Sequence, residues 1–246
     1  MTIISNAMTT LTFNLTLMTA VIASGCGASD ALVITGISAK GAVLPGTVSA
    51  TCASGTGTAT VQSNGSYRVE VVNGSGPCLL ALTPSGGGNT LFSVTTGTGS
   101  SVVANITPLT NMFVQSFLLG LGGATSGKSS PTEWFAQPAA KSLLSNTTAV
   151  ANLVTNNFLP ALDSLPGVTV PSGLGTTFLD TAFTPQPGDT QDNFLEALST
   201  GPNAVFNSST LQPAPVVSTT IVTAAEAAPD VPTETTGGSF VSGGGN

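Results

Sequence analysis

A chain of 246 residues with 4 Lys+Arg against 11 Asp+Glu carries a formal charge of −7. It has too few cations to neutralise a run of phosphates, which excludes nucleic acid and acidic lipid as charge-driven partners. The absence of His removes the Ser-His-Asp and Cys-His nucleophile systems and every His-containing zinc site, so that paired carboxylates are the remaining metal-free acid–base chemistry. With only 6% charged residues and 41% hydrophobic ones, the chain can build a core, and its surface must be mostly uncharged hydroxyl and amide. That composition suits a secreted or cell-surface protein.

Residues 1–25 read as an export signal. The run LTFNLTLMTAVIA, Leu11 to Ala23, is mostly apolar but too short and too polar for a comfortable membrane span. Small residues, Ala23, Ser24 and Gly25, then precede Cys26 in VIASGCG. This resembles the bacterial lipoprotein signal, in which small residues precede a Cys that is lipidated and becomes the first residue of the mature chain. The resemblance implies lipidation of Cys26, an anchor linker over 26–30, and passage to the outer membrane because Gly27 rather than Asp follows. Ordinary signal cleavage and an intact structural helix are the alternatives, and Met8 is an alternative start to Met1.

From Ala31 to Thr107 the chain is a succession of short alternating runs: ALVITG, TVSATCA, TATVQS, SYRVEVV, CLLALT, TLFSVTT and SVVANIT. Seven strands separated by Gly, Asn and Ser over this length predict an antiparallel β-sandwich. In TATVQSNGSYRVEV, Asn64-Gly65 is the preferred pair for a two-residue type I′ hairpin turn, with Tyr67, Val69 and Val71 facing the core and Arg68 and Glu70 facing water. Cys52 and Cys78 each alternate onto the apolar face of their own runs. Both thiols therefore point into a core, where an oxidising compartment couples them into a disulfide; the alternative is two free buried thiols.

The patterns VLPGTVSATC, TVQSNGSYRVEV and PCLLALT resemble the carboxypeptidase regulatory-like, or transthyretin-like, β-sandwich. SVVANITPLT after the last strand looks like a group of bacterial envelope lipoproteins that join such a sandwich to helices. The resemblance implies a module for binding, spacing or assembly rather than an enzyme.

A helical region is expected over 108–200. Thr107 caps a helix with Pro108 at its first position, and Leu109, Phe113, Phe117 and Leu121 recur every four residues. The stretch GGATSGKSS, Gly122 to Ser130, fits the nucleotide-binding pattern G-x-x-x-x-G-K-[ST], but it follows a helix where a phosphate-binding loop must follow a buried strand and open a helix. The next helix is expected at SPTEWFAQ, with Ser130 and Glu133 forming a capping box around Pro131, so Lys128 precedes the cap and no nucleotide is expected to bind. Trp134, Phe135, Leu143 and Leu144 mark one helix. Val150, Leu153, Val154, Phe158, Leu162 and Leu165 mark another, bent at Pro160.

QDNFLEALS reads as a short helix capped by Asp189 or Thr190. Its Asp189, Asp192 and Glu196 lack the turn Gly and closing Glu of a calcium loop and read as helix-end charges. AVFNSS and PVVSTTIVTA suggest a β-hairpin over 201–223, and residues 224–246 a flexible low-complexity tail. The N-x-[ST] triplets at Asn64, Asn73, Asn105, Asn146 and Asn207 are taken as chance in a chain rich in Ser and Thr.

The expectation is an α+β protein without cofactor: a seven-stranded antiparallel sandwich (31–107), a small helical region and a tail. Its expected task is non-catalytic, as an envelope lipoprotein held to the membrane through Cys26, with strand edges and loops recruiting a protein or glycan. The alternative is a subunit that polymerises with itself into an extracellular filament through sheet edges.

Overall fold

The computed structural model describes residues 31–122, 127–200, 204–207 and 209–229. Cys26 and the whole expected leader and linker, 1–30, lie outside the described residues, as does 230–246 of the expected tail.

Seven strands form where the alternating runs predicted them: β1 (Leu32–Ile37), β2 (Gly46–Ser54), β3 (Thr56–Thr60), β4 (Ser66–Val71), β5 (Ser75–Pro84), β6 (Leu91–Val94) and β7 (Ser101–Val103). They make a three-stranded sheet in the order β4-β1-β7 and a four-stranded sheet in the order β3-β2-β5-β6. The inner faces pack on each other because the strands alternate with period two: Val48, Ala50 and Cys52 from β2 meet Tyr67, Val69 and Val71 from β4 in one apolar cluster. Gly36 of β1 leaves room for the bond from the Tyr67 hydroxyl to the Ala104 carbonyl, since a Cβ there would lie 1.7 Å from that carbonyl oxygen and 2.8 Å from that hydroxyl.

The arrangement corrects two expectations. The sheets are not uniformly antiparallel, since β7 runs parallel to β1 with Ile34 opposite Val102. The chain crosses from one sheet to the other after β6 and enters β7 in the direction of β1. Nor does Asn64-Gly65 make a type I′ hairpin. Of the pair only Gly65 takes a positive φ, 85°, Gly65 N–H donates to the Gln62 carbonyl and Gln62 N–H to that of Ser66, and the Asn64 side chain accepts from Ser66 N–H and hydroxyl. This longer turn splays its flanks: β3 pairs with β2 and β4 with β1, in different sheets. The inner side of β3 offers only Gly57 and Ala59, whereas β4 brings Tyr67, Val69 and Val71, so β4 covers the core and β3 forms a thin rim.

The helical layer begins at α1 (Pro108–Met112), where the Thr107 hydroxyl accepts from Thr110 N–H and Thr110 reaches back to Thr107 N–H. The helix widens into a π-helical segment, Phe113–Leu118. Phe113, Phe117, Phe158 and Phe178 form an aromatic nest with ring centroids 5.1 to 5.9 Å apart. The helix expected around Trp134 is two, α2 (Pro131–Phe135) and α3 (Pro138–Ser145), because Pro138 has no N–H to continue the ladder. Pro160 acts more gently. It follows a second π-helical segment, Val154–Phe158, which joins α4 (Thr147–Leu153) to α5 (Leu159–Asp163) without a break. α6 (Thr177–Asp180) and α7 (Thr190–Ser199) follow.

The expected β-hairpin over 201–223 is overturned. PVVSTTIVTA folds as the helix α8 (Pro215–Glu226), which also takes in Ala224–Glu226 of the expected tail; among the described residues of this stretch the bridge Phe206 to Pro213 is the strand-like pairing that remains. The β-branched composition favours a strand locally, but Val217, Ile221 and Ala225 recur every four residues and bury one stripe, which only a helix can do. Thr219 and Thr220 hydroxyls turn back to the Pro215 and Val216 carbonyls. Leu79 of β5 and Val94 of β6, on the outer face of the four-stranded sheet, belong to the core shared with the helices. Helices thus cover the β5–β6 half of that sheet.

Candidate binding site

Among the described residues, the half left uncovered is the β2–β3 end. Along β3 the direction of each backbone group follows from its neighbours. Val61 N–H donates to the Gly46 carbonyl and Cys52 N–H to that of Gly55, so odd-numbered residues of the strand face β2 and Thr56, Thr58 and Thr60 turn their N–H and C=O outward. These three threonines are exposed. The Thr60 carbonyl takes the Gln62 side-chain amide at 3.3 Å.

On β4, Val69 and Tyr67 lie opposite Ile34 and Gly36, while Val33, Thr35 and Ile37 bond toward Ser100, just before β7, and Ala104 and Ile106 after it. The outward groups of β4 are therefore those of Ser66, Arg68 and Glu70. Beside these two rims lies a cleft of about 690 Å³ lined by Thr35, Thr58, Thr60, Gln62, Ser66 and Arg68, with Tyr67 beneath. Arg68 and Glu70 close an exposed ion pair at 2.9 Å. The cleft can offer neutral hydroxyl and amide groups and one guanidinium already engaged by a carboxylate. Tyr67 is not available as a proton donor to it, since its hydroxyl is held by the Ala104 carbonyl and burial pushes its pKa far above the ordinary tyrosine range.

Cys52 and Cys78 face each other across β2 and β5 and are bonded, with sulfurs 2.03 Å apart. They staple adjacent strands of the four-stranded sheet, with both residues buried.

The stretch Gly122 to Ser130 is placed only in part, because 123–126 lie outside the described residues. Lys128 precedes α2, whose N-cap is Ser130; the Ser130 hydroxyl accepts Glu133 N–H. The reciprocal half of the box is shifted by one residue, since Glu133 accepts from Ser129 N–H and hydroxyl instead of Ser130 N–H. Those bonds hold the Glu133 carboxyl below its usual range, with Lys128 contributing.

Asp189 caps α7 by accepting from Gln191 and Asp192 N–H. Asp192 is only 1% exposed, and among the described residues neither carboxylate oxygen finds a hydrogen-bond donor. Burial, with Glu196 and Asp189 adding repulsion, raises its pKa. Among the described residues no group of three or more such side chains is placed to hold a metal ion. A smaller cleft of about 250 Å³ lies beside α7 between Lys40 and Glu196.

The asparagines of the N-x-[ST] triplets have structural work. Asn64 closes its turn, Asn73 sits at φ 53°, Asn146 caps α4, and Asn207 accepts from Ser209 and Thr210 N–H. Asn105 is fully buried. The sequence signal for most of them was the short polar side chain followed by Ser or Thr, a turn and cap signature as much as a glycosylation one. Nothing local marked the cleft, whose walls come from separate strands.

Among the described residues no helix is long and apolar enough to cross a membrane. No protein-family model matches the chain, and no curated protein or solved structure matches it.

Proposed function

We propose that this protein is an exported, lipid-anchored envelope module that binds or scaffolds without catalysing a reaction. The observation that carries the binding part is the cleft beside β3 and β4, where Thr35, Thr58, Thr60, Gln62 and Ser66 converge with neutral hydrogen-bonding groups. Such a lining suits a ligand that is itself a row of neutral donors and acceptors, a glycan or an extended peptide. The Cys52–Cys78 bond supports an oxidising compartment, and VIASGCG supports acylation at Cys26. The relation to carboxypeptidase regulatory-like sandwiches belongs to the same proposal, supported by the strand entry at Gly46 and the Gly65-x-Tyr67 turn.

The binding part is tested by probing glycan and peptide arrays with the purified protein and with Gln62→Ala. Retained signal in the variant, or none with either, removes the cleft as the site. Anchoring is tested by labelling cells with a clickable palmitate analogue and fractionating membranes. Label should enter the wild type and not Cys26→Ser, and an unlabelled soluble wild type rejects the lipid anchor. The second reading, a filament subunit, is favoured by the edge of β3, which none of the described residues covers, and electron microscopy of purified material tests it.

A further inference from the structure

We propose that the cleft of about 250 Å³ beside the end of α7 binds a free α-amino acid with an apolar side chain. The inference goes beyond the cleft at β3 and β4 and beyond lipid anchoring, and shares no residue with either.

The site lies where the two cores meet. Its apolar floor joins Leu211, which belongs to the sandwich cluster, to Phe206, which belongs to the helical one, and Pro108 at the start of α1 completes it. Leu211 has a φ of 57°, in the left-handed region that a bulky side chain seldom enters. A closed turn holds it there: Leu211 N–H donates to the Asn207 carbonyl at 2.7 Å, and the Asn207 side chain accepts from Ser209 and Thr210 N–H. Backbone outliers of this kind concentrate where ligands are held.

The side chains on the α7 wall offer acceptors alone. The Ser199 and Thr200 hydroxyls both donate to the Glu196 carbonyl, at 3.0 and 2.9 Å, so their oxygens are left only to accept. The Glu196 carboxylate and the negative end of the helix stand beside them. That set is the complement of an ammonium group. One turn earlier Asp192 is buried, neither of its oxygens finds a donor among the described residues, and Glu196 repels it. A cation bound at Glu196 offsets that repulsion.

The opposite charge comes from the loop between β1 and β2. Gly41 presses this loop onto α7, since a Cβ there would lie 3.2 Å from Glu196 Cβ, and the contact brings Lys40 to the same cleft. Among the described residues neither Lys40 nor Glu196 makes an ion pair. Two opposite charges that line one cleft unpaired fit a zwitterion, with its carboxylate at Lys40, its ammonium at Glu196 and its side chain on the floor. A neutral glycan leaves both charges unmatched, and a simple anion or cation leaves one. Pockets for drug-sized ligands begin at roughly 300 Å³, so this cleft takes a single amino acid and not a longer peptide.

Titration calorimetry of the full chain carrying Cys26→Ser with L-leucine tests the site. The expected result is saturable binding, accompanied by a thermal transition that rises with ligand concentration. Leucinamide, which lacks the carboxylate, and 4-methylpentanoate, which lacks the ammonium, should each bind at least about tenfold more weakly. Lys40→Gln and Glu196→Gln alter exposed side chains and should each weaken leucine by a similar factor, whereas Lys128→Gln should not. Each variant should also become indifferent to losing the group it held: Lys40→Gln should bind leucine and leucinamide alike, and Glu196→Gln should bind leucine and 4-methylpentanoate alike. These matched pairs separate a direct contact from a general loss of structure. Absence of saturable leucine binding overturns the proposal, as does binding of either truncated ligand as tight as that of leucine, or binding unchanged in Lys40→Gln or Glu196→Gln.

Discussion

The side-chain carbonyl of Asn105 accepts the backbone N–H of Ile37 at 3.1 Å, while its amide donates to the carbonyls of Thr181 at 2.7 Å and Phe178 at 3.3 Å. One fully buried side chain thus ties the end of β1 to the helical layer across α6. Asn105 N–H donates to the Leu179 carbonyl as well, so the junction is a buried polar seam, where an unpaired group is costly.

Asn105→Leu should therefore destabilise the protein by about 2 kcal/mol, because it strands the buried Ile37 donor, while the Phe178 carbonyl keeps the Gln191 side-chain amide and Thr181 is exposed. Urea unfolding measures it. A loss below about 1 kcal/mol would show that the seam is hydrated or that its groups find other partners.

Tyr67 links β4 to the Ala104 carbonyl, and its hydroxyl is buried and raised in pKa. The unfolded chain ionises at the ordinary value near 10, while the native one does not. An acid with a raised native pKa contributes stability that is fully present below the unfolded value and is lost as pH rises above it. Stability should fall above about pH 10, and Tyr67→Phe should flatten that fall while lowering stability at neutral pH. Thermal melts from pH 7 to 11 give the comparison; equal slopes for the two proteins would count against it.

Asp192 follows the same sign at the acid end. Burial first, then Glu196 and Asp189, raises its pKa, so the native state is favoured at low pH and that contribution is lost as pH rises from the unfolded carboxylate value through the raised one. Asp192→Asn should raise the melting temperature at pH 7 and lose most of that gain near pH 3. No gain at neutral pH would mean that the charge is solvated in the native state.

The Cys52–Cys78 bond spans 26 residues of sequence, and in the chain-entropy account a loop of that size contributes about 3 kcal/mol. Replacing both cysteines by Ala should lower stability by that order, and reductant should do the same to the wild type. Alkylation without reductant that labels both thiols in protein isolated from cells would show that the bond is not made there.

Where one residue's neighbours lie in its own segment, the sequence was legible. Period-two burial placed all seven strands and turned Tyr67, Val69, Val71, Cys52 and Cys78 inward, because a strand has only two faces. Thr107-Pro108, Ser130-Pro131 and Asp189 announced helix starts, because capping joins a side chain to a backbone amide two or three residues on. The four-residue recurrence from Leu109 to Leu121 is buried throughout for the same local reason.

What the tertiary structure decided was partnership. The turn at Asn64-Gly65 is a reversal in either account, but whether β3 and β4 stay together depends on β2 and β1 competing for them, and β2 lies outside the turn's reach in sequence. PVVSTTIVTA is rich in β-branched residues, yet becomes α8 because the π-helical segments present a surface onto which Val217, Ile221 and Ala225 pack as one stripe. Asn105 resembles any other Asn-x-Thr until Ile37, Phe178 and Thr181 surround it. Local bonds and periodicity are written along the chain, whereas burial of a polar group and the choice of strand neighbour are set by segments far apart in sequence, and only their assembly determines which preference prevails.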